Sequence, residues 1–400
     1  MDTSFDPILE YSTEGSTLSS DAGWGDRNRL LAEGVQERLQ TVFSRARLWE
    51  MEKVLGYGSY GVTILLRYKD PLRFRRNRRA VLKRPYRDEW LEELDDIGIE
   101  IAAYKKYRGH AHIARMLAHS KDLIEYKRPK RSKVSKVWHY FADIFKNPEK
   151  TLFPILGNSL EGPAILLEYL ENGSLEKLQK KLLELDIHLP NRVLWSFYHC
   201  LIRACVGMAY PVNAPKSSSQ ILETIPSDEN IQAYQLAHRD IAPRNVMIGS
   251  RNPAVQEHRL VPGLKLIDFG LSVMPWPGDT TDHVAGNLFA CTATILTLIN
   301  RDFPTVRADN TVEFNGYATQ AVDLVPTDDK PDRFPHLDPE LRNLITLGLA
   351  SPSSRQPSLS GMLEMTRAGM MKPASAYPGR EVEESDARIT QTLQTLMYDA

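Results

Sequence analysis

His238-Arg239-Asp240-Ile241-Ala242-Pro243-Arg244-Asn245, followed beyond the run Leu264-Lys265-Leu266-Ile267 by Asp268-Phe269-Gly270, is the passage whose reading decides the fold. Either short motif alone means little. In this order, with Asn245 five residues after Asp240 and short strands predicted at Val246–Ile248 and Leu264–Ile267, the set points to one chemistry. Phosphoryl transfer asks little covalent work of a protein. It needs a carboxylate to orient an attacking hydroxyl and take its proton, and hard oxygen ligands for Mg²⁺ bridging the phosphates. Asp240 suits the first task, and Asn245 and Asp268 suit the second.

Working upstream, Gly56-Tyr57-Gly58-Ser59-Tyr60-Gly61 would let a backbone turn lie close over phosphate oxygens. A dinucleotide-binding fold uses similar spacing but opens directly into a helix, whereas Val62 to Tyr68 reads as a strand. The glycines therefore belong to a strand-turn-strand flap. Ala80-Val81-Leu82-Lys83 ends a further strand with a lysine among apolar residues, and such a lysine acts on a ligand only if a carboxylate holds it. Glu100 lies beside the helical stripe Ile97, Ile101 and Tyr104 and supplies one. Glu93, two turns earlier, is a second candidate.

Periodicity organises the remainder. Residues 1–25 read as a disordered leader, and 26–48 as a helical extension with Leu30, Leu31, Val35, Leu39, Val42 and Phe43 at helical spacing. A β-rich part, 49–172, precedes a mainly helical part, 173–366, and 367–400 reads as a C-terminal tail. Three insertions are expected as surface loops. Lys121 to Glu161 carries six basic residues in ten between Lys127 and Lys136, for which nuclear localisation or anionic docking is the alternative reading. Pro211 to Gln235 is polar and Ser-rich, and Gly249 to Gly263 lengthens a hairpin.

The totals bound the function. A formal charge of -1 gives no global attraction to nucleic acid or to an anionic membrane. Three cysteines make no disulfide framework, so an intracellular setting, cytoplasmic or nuclear, is expected. The first residues lack the basic and apolar regions of a secretory signal. Leu288 to Ile299 is too short for a bilayer of about 30 Å, so no membrane span is expected.

With these residues in view, Trp49 to Met365 resembles the eukaryotic protein kinase family. The resemblance implies an α+β, bilobal fold with a small β-rich N-lobe and a larger mainly α-helical C-lobe, holding ATP and Mg²⁺ between them. It matches Gly56, Gly58 and Gly61 to the glycine-rich loop, Lys83 to the phosphate-anchoring lysine and Glu100 to its partner. The turn His110-Ala111-His112-Ile113 favours Glu100 over Glu93. Leu167 to Leu175 is similar to the family's hinge, which implies adenine contacts from the backbone of Glu168 and Leu170.

Departures from the family matter as much. Ala242 stands where Ser/Thr kinases carry a lysine, and Arg244 sits where a tyrosine kinase's arginine could reach the transferred phosphate. The segment after Gly270 is short and holds no Ala-Pro-Glu motif, so Arg355 lacks its usual glutamate and is left to solvent. Asn287 replaces the aspartate that holds the catalytic loop, which implies a weaker hold. Arg239 ordinarily binds a phosphorylated residue, for which Ser272, Thr280 and Thr281 are the hydroxyls available. The leading expectation is a kinase acting on Ser or Thr of an undetermined protein substrate. A small-molecule kinase and a nucleotide-binding scaffold without turnover are the alternatives.

Overall fold

The computed structural model describes residues 22–57, 61–69, 78–86, 96–120, 163–212, 220–276, 278–302, 306, 309–328 and 330–397. These fall into two compact units, one of 22–106 with 114–169, the other of Tyr107–Ile113 with 170–397. The sequence puts the boundary near Glu171 to Ser174, but the units part between Tyr169 and Leu170, directly after the last strand of the first sheet.

In the first unit, helix α1 (Ala22–Ser44) precedes strands β1 (Trp49–Tyr57), β2 (Gly61–Tyr68) and β3 (Arg79–Pro85). Helix α2 (Asp96–Lys106) and strands β4 (Met116–His119) and β5 (Ile165–Glu168) complete it. The strands form one antiparallel sheet in the order β1-β2-β3-β5-β4. Side chains alternate between the faces of a strand. Val62, Ile64 and Leu66 of β2 and Ala80 and Leu82 of β3 thus share a face, and Val35, Leu39 and Phe43 of α1 close over it as a single apolar core. Lys83 is thereby directed to the opposite face. Helix α1 begins at Ala22, four residues before the expected start, so 22–25 are not leader; residues 1–21, Glu93 and the basic insertion lie outside the described residues.

The second unit contains α3 (Leu175–Glu184), α4 (Asn191–Ala209), the strand pair β6 (Val246–Ile248) and β7 (Leu264–Leu266), and α5 (His283–Asn300). Strands β8 (Val312–Phe314) and β9 (Tyr317–Thr319), helix α6 (Pro339–Gly348), strand β10 (Ala350–Ser351), and helices α7 (Leu359–Met370) and α8 (Asp386–Met397) follow. Helix α4 is at the centre and is buried along almost its whole length. Gly369 of α7 seats against it, because a Cβ there would lie 2.2 Å from the Trp195 ring. Helix α5 is long and apolar enough to cross a membrane, yet its Leu288, Cys291, Ile295 and Leu298 are buried inside this unit.

Residues 367–400 read as a tail, but the described part, 367–397, does not behave as one. Helix α8 buries Ile389, Leu393 and Leu396, whose spacing places them on one face. Just before it, the fully buried Glu384 reaches the start of α4. That helix begins after Pro190, which offers no side-chain cap. Glu384 supplies the missing acceptors by taking the N–H of Asn191 at 2.7 Å and of Arg192 at 3.0 Å, a carboxylate at the positive end of a helix. Glu384→Ala should therefore cost about 3 kcal/mol, since it strands buried donors. A lower denaturant midpoint with an unchanged slope is the expected result, and an unchanged midpoint would reject the cap.

Candidate active site

Lys83 and Glu100 meet in the first unit. Strand β3 aims the lysine away from the α1 core, and its Nζ lies 2.7 Å from Glu100 Oε2 of α2. The carboxylate side chain is 2% exposed and the ammonium 25% exposed, so the lysine keeps a face open while its partner is sealed. Gly61 answers to packing, since a Cβ there would sit 2.2 Å from the Arg84 carbonyl. At Gly56 a Cβ would meet nothing within 4 Å, and Gly58 lies outside the described residues. The Glu168 N–H is taken by the Arg115 carbonyl at 3.0 Å, so an adenine contact from Glu168 would fall to its carbonyl oxygen.

In the second unit, the chain turns sharply at Arg239, whose φ of 63° is left-handed, and closes a single 3₁₀ turn at Pro243–Asn245. That turn folds Asn245 back onto Asp240. The Asn245 amide donates to Asp240 Oδ2 at 2.7 Å and to the Asp240 carbonyl at 2.9 Å, while the Arg244 guanidinium pairs with Oδ1. With Nδ2 engaged, Oδ1 is the atom Asn245 would offer to a cation.

Asp268 is brought beside this turn by the β6–β7 pair, because the Ile267 N–H donates to the Asn245 carbonyl at 2.9 Å. It is also left-handed, with φ 63°, a strained setting that persists where the surroundings enforce it. Phe269 behind it is fully buried against Tyr107 and His238, at ring separations of 5.6 and 4.6 Å. Burial pushes the His238 imidazole down to about 4 against the pull of the Asp268 carboxylate. It is accordingly neutral at physiological pH, and its Nδ1 accepts the Asp240 N–H at 3.3 Å. The carboxylate of Asp268 and the amide oxygen of Asn245 are hard oxygen donors of the kind Mg²⁺ takes in small number alongside phosphate oxygens, so the donor set fits that ion.

The loop is held from two sides. Asn287 is buried on α5, accepts the His238 N–H at 3.0 Å, and donates to the Leu236 carbonyl at 2.7 Å. An aspartate could make only the first bond at neutral pH. Ala237 and Val273 exchange both backbone bonds, at 3.0 and 2.8 Å, tying the loop to the segment after Gly270. Ser272 is buried and donates to the Phe269 carbonyl, which removes it from the accessible hydroxyls, whereas Thr280, Thr281 and Arg239 are exposed. Arg355 is exposed as well. The Gly249 to Gly263 insertion is not wholly a surface loop, because it sends His258 into the interior at 8% exposure.

No protein-family model matches the chain. Over 128 residues it is 26% identical to the G2-specific protein kinase nim-1 of Neurospora crassa. The match covers 31% of this chain and 14% of nim-1, a distant and partial likeness to a protein kinase.

The two-sided bond of Asn287 can be tested by substitution. Asn287→Asp should destabilise the protein by about 1–3 kcal/mol at neutral pH, because the Leu236 carbonyl loses its donor and faces a negative charge. Burial raises the pKa of the introduced carboxyl, and its protonated form can donate again. The deficit relative to wild type should therefore shrink in mildly acidic buffer. Denaturant curves at the two pH values decide, and a deficit independent of pH would exclude this geometry.

Proposed function

We propose that the chain is an ATP- and Mg²⁺-dependent phosphotransferase of protein-kinase-like fold, its first unit the small lobe and its second the large one, transferring the γ-phosphoryl group to a Ser or Thr hydroxyl of a protein. The observation that carries this reading is the Lys83–Glu100 pair, in which a nearly buried carboxylate holds one partly exposed ammonium. Folding alone gains little from such a pair, since desolvating the carboxylate offsets most of the attraction. A role in gripping phosphate oxygens accounts for it.

Asp240 would orient the acceptor hydroxyl and take its proton, its carboxylate positioned by Asn245 and Arg244. Arg244 is paired with Asp240 but 56% exposed, so it would exchange that partner for the transferred group at small cost. Asn245 and Asp268 would hold Mg²⁺, which when bound neutralises charge on the phosphates. Adenine recognition falls to the backbone of Glu168 and Leu170. A second reading, a small-molecule acceptor, draws on the short segment Leu271 to Asp282 that precedes α5, for that stretch is what docks a peptide in the family resembled.

Asp240→Asn and Asp268→Asn should each lower Mg-dependent turnover of ATP by about 10²-fold or more while leaving the melting temperature nearly unchanged. Lys83→Met also takes the cation away from the buried Glu100 carboxylate, so a melting curve must accompany its turnover measurement. Nucleotide binding without turnover in wild type, given mixed peptides and metabolites, would leave only the scaffold. Mass spectrometry after incubation with Mg-ATP should find phosphate on Thr280 or Thr281, the partner the resemblance implies for Arg239, and an unmodified segment would remove that role.

A further inference from the structure

Helix α4, the turn after α2 and the Gly249 to Gly263 insertion converge on a place that has no part in the proposed phosphotransfer. Cys200 comes from the middle of α4, His112 from the segment Tyr107–Ile113, and His258 from a single 3₁₀ turn at Gln256–His258. All three are buried, at 3%, 0% and 8% exposure, and all belong to the second unit. We propose that Cys200 Sγ, His112 Nε2 and His258 Nε2 are three ligands of a zinc-type divalent metal site.

The separations suit a metal at the centre. The two Nε2 atoms are 3.1 Å apart, Cys200 Sγ is 3.7 Å from His258 Nε2, and all three donor atoms lie within 4.8 Å of one another. Zinc bonds of about 2.0–2.1 Å to nitrogen and 2.3 Å to sulfur, arranged tetrahedrally, give edges of roughly 3.4 Å between nitrogens and 3.6 Å between nitrogen and sulfur. On the two edges that involve His258, the ligands would need to move by only about 0.1–0.3 Å.

The surroundings are those of a built site. Glu223, itself 1% exposed, lies 2.6 Å from His112 Nδ1 and accepts the His112 backbone N–H at 2.8 Å. An ionised carboxylate can only accept, so Nδ1 keeps its proton and Nε2 is the atom His112 would give to a metal, releasing any proton held there as the metal binds. A carboxylate behind a ligating imidazole is the usual outer-shell support of a metal. Arg203 in turn donates to the Glu223 carbonyl and pairs with Glu257. Charge closes as well: a dication, one thiolate, two neutral imidazoles and the Glu223 carboxylate sum to zero, as an interior demands. Two glycines make room for the set. A Cβ on Gly207 would approach Glu223 to 2.9 Å and His110 to 3.0 Å, and one on Gly263 would approach the His258 ring to 3.0 Å.

Untagged full-length protein, equilibrated with Zn²⁺ and desalted, should retain about one equivalent by plasma mass spectrometry. Loaded with Co²⁺ it should show a thiolate-to-cobalt charge-transfer band. Cys200→Ser should abolish the band, whereas Cys205→Ser should keep it, since Cys205 pairs instead with Cys291 at 3.4 Å. Glu223→Gln, a positioning change, should weaken Zn²⁺ about 10–100-fold against a chromophoric chelator without changing the stoichiometry. Should Cys200→Ser fail to fold, the wild-type cobalt spectrum and the zinc content of His258→Gln decide in its place. Wild type that holds no more Zn²⁺ than the Cys200→Ser, His258→Gln double variant, or that shows no thiolate band with Co²⁺, would overturn the proposal and leave a hydrogen-bonded cluster only.

Discussion

A helix buried on every side has no water to satisfy its polar groups, and helix α4 imposes that constraint on the whole second unit. Its first N–H groups go to Glu384, Trp195 to Asp338, Tyr198 to Thr292, and His199 to Thr366 and Glu257. Cys200 faces His258, and Arg203 pairs with Glu257. Burial pushes the Glu257 carboxyl up, but bonds from His199 and Arg203 outweigh it and hold the group well below the usual carboxylate range. These partners come from the β6–β7 insertion, α5, the N-cap of α6, α7 and the C-terminal stretch. Elements far apart in sequence are thus in place because one helix needs acceptors and donors.

The same rule governs the loop of Asp240. Its neighbours are fixed through backbone groups, by Asn287 on one side and Val273 on the other, so two left-handed residues persist where an unsupported chain would relax. Asn287 stands where the family resembled uses a carboxylate. An amide gives up charge and gains a donor, and the Leu236 carbonyl uses that donor. The exchange alters how the loop is held without leaving a buried group unpaired.

Local chemistry was largely legible. The strand reading of Val62 to Tyr68, the helical spacing of Val35, Leu39 and Phe43 and the spacing from Asp240 to Asn245 all depend on neighbours in sequence. The choice of Glu100 for Lys83 also came from a helical stripe and the turn after it, although Glu93 lies outside the described residues. What escaped notice depended on distance. Glu384 is 193 positions from Asn191, and a polar stretch before a short helix carries no sign of its partner. His258 sits in a polar insertion that hydropathy assigns to the surface, while Cys200 reads as one more apolar residue of a buried helix. Buried polar residues are set by tertiary complement, and periodicity does not report that.

The segment Tyr107–Ile113 belongs to the second unit, although the chain on both sides of it belongs to the first. Its partners Cys200, Glu223, His258 and Leu266 all lie downstream. On the ribosome, the strands of the first sheet can pair as soon as β5 emerges, while this seven-residue excursion, with its apolar Tyr107 and Ile113, waits for almost a hundred further residues before β7 arrives to cover it. The first unit is also built from two separate stretches of chain. Vectorial synthesis therefore leaves the apolar side chains of this segment uncovered until the chain of the second unit arrives, and that interval is when a chaperone would have the most to bind.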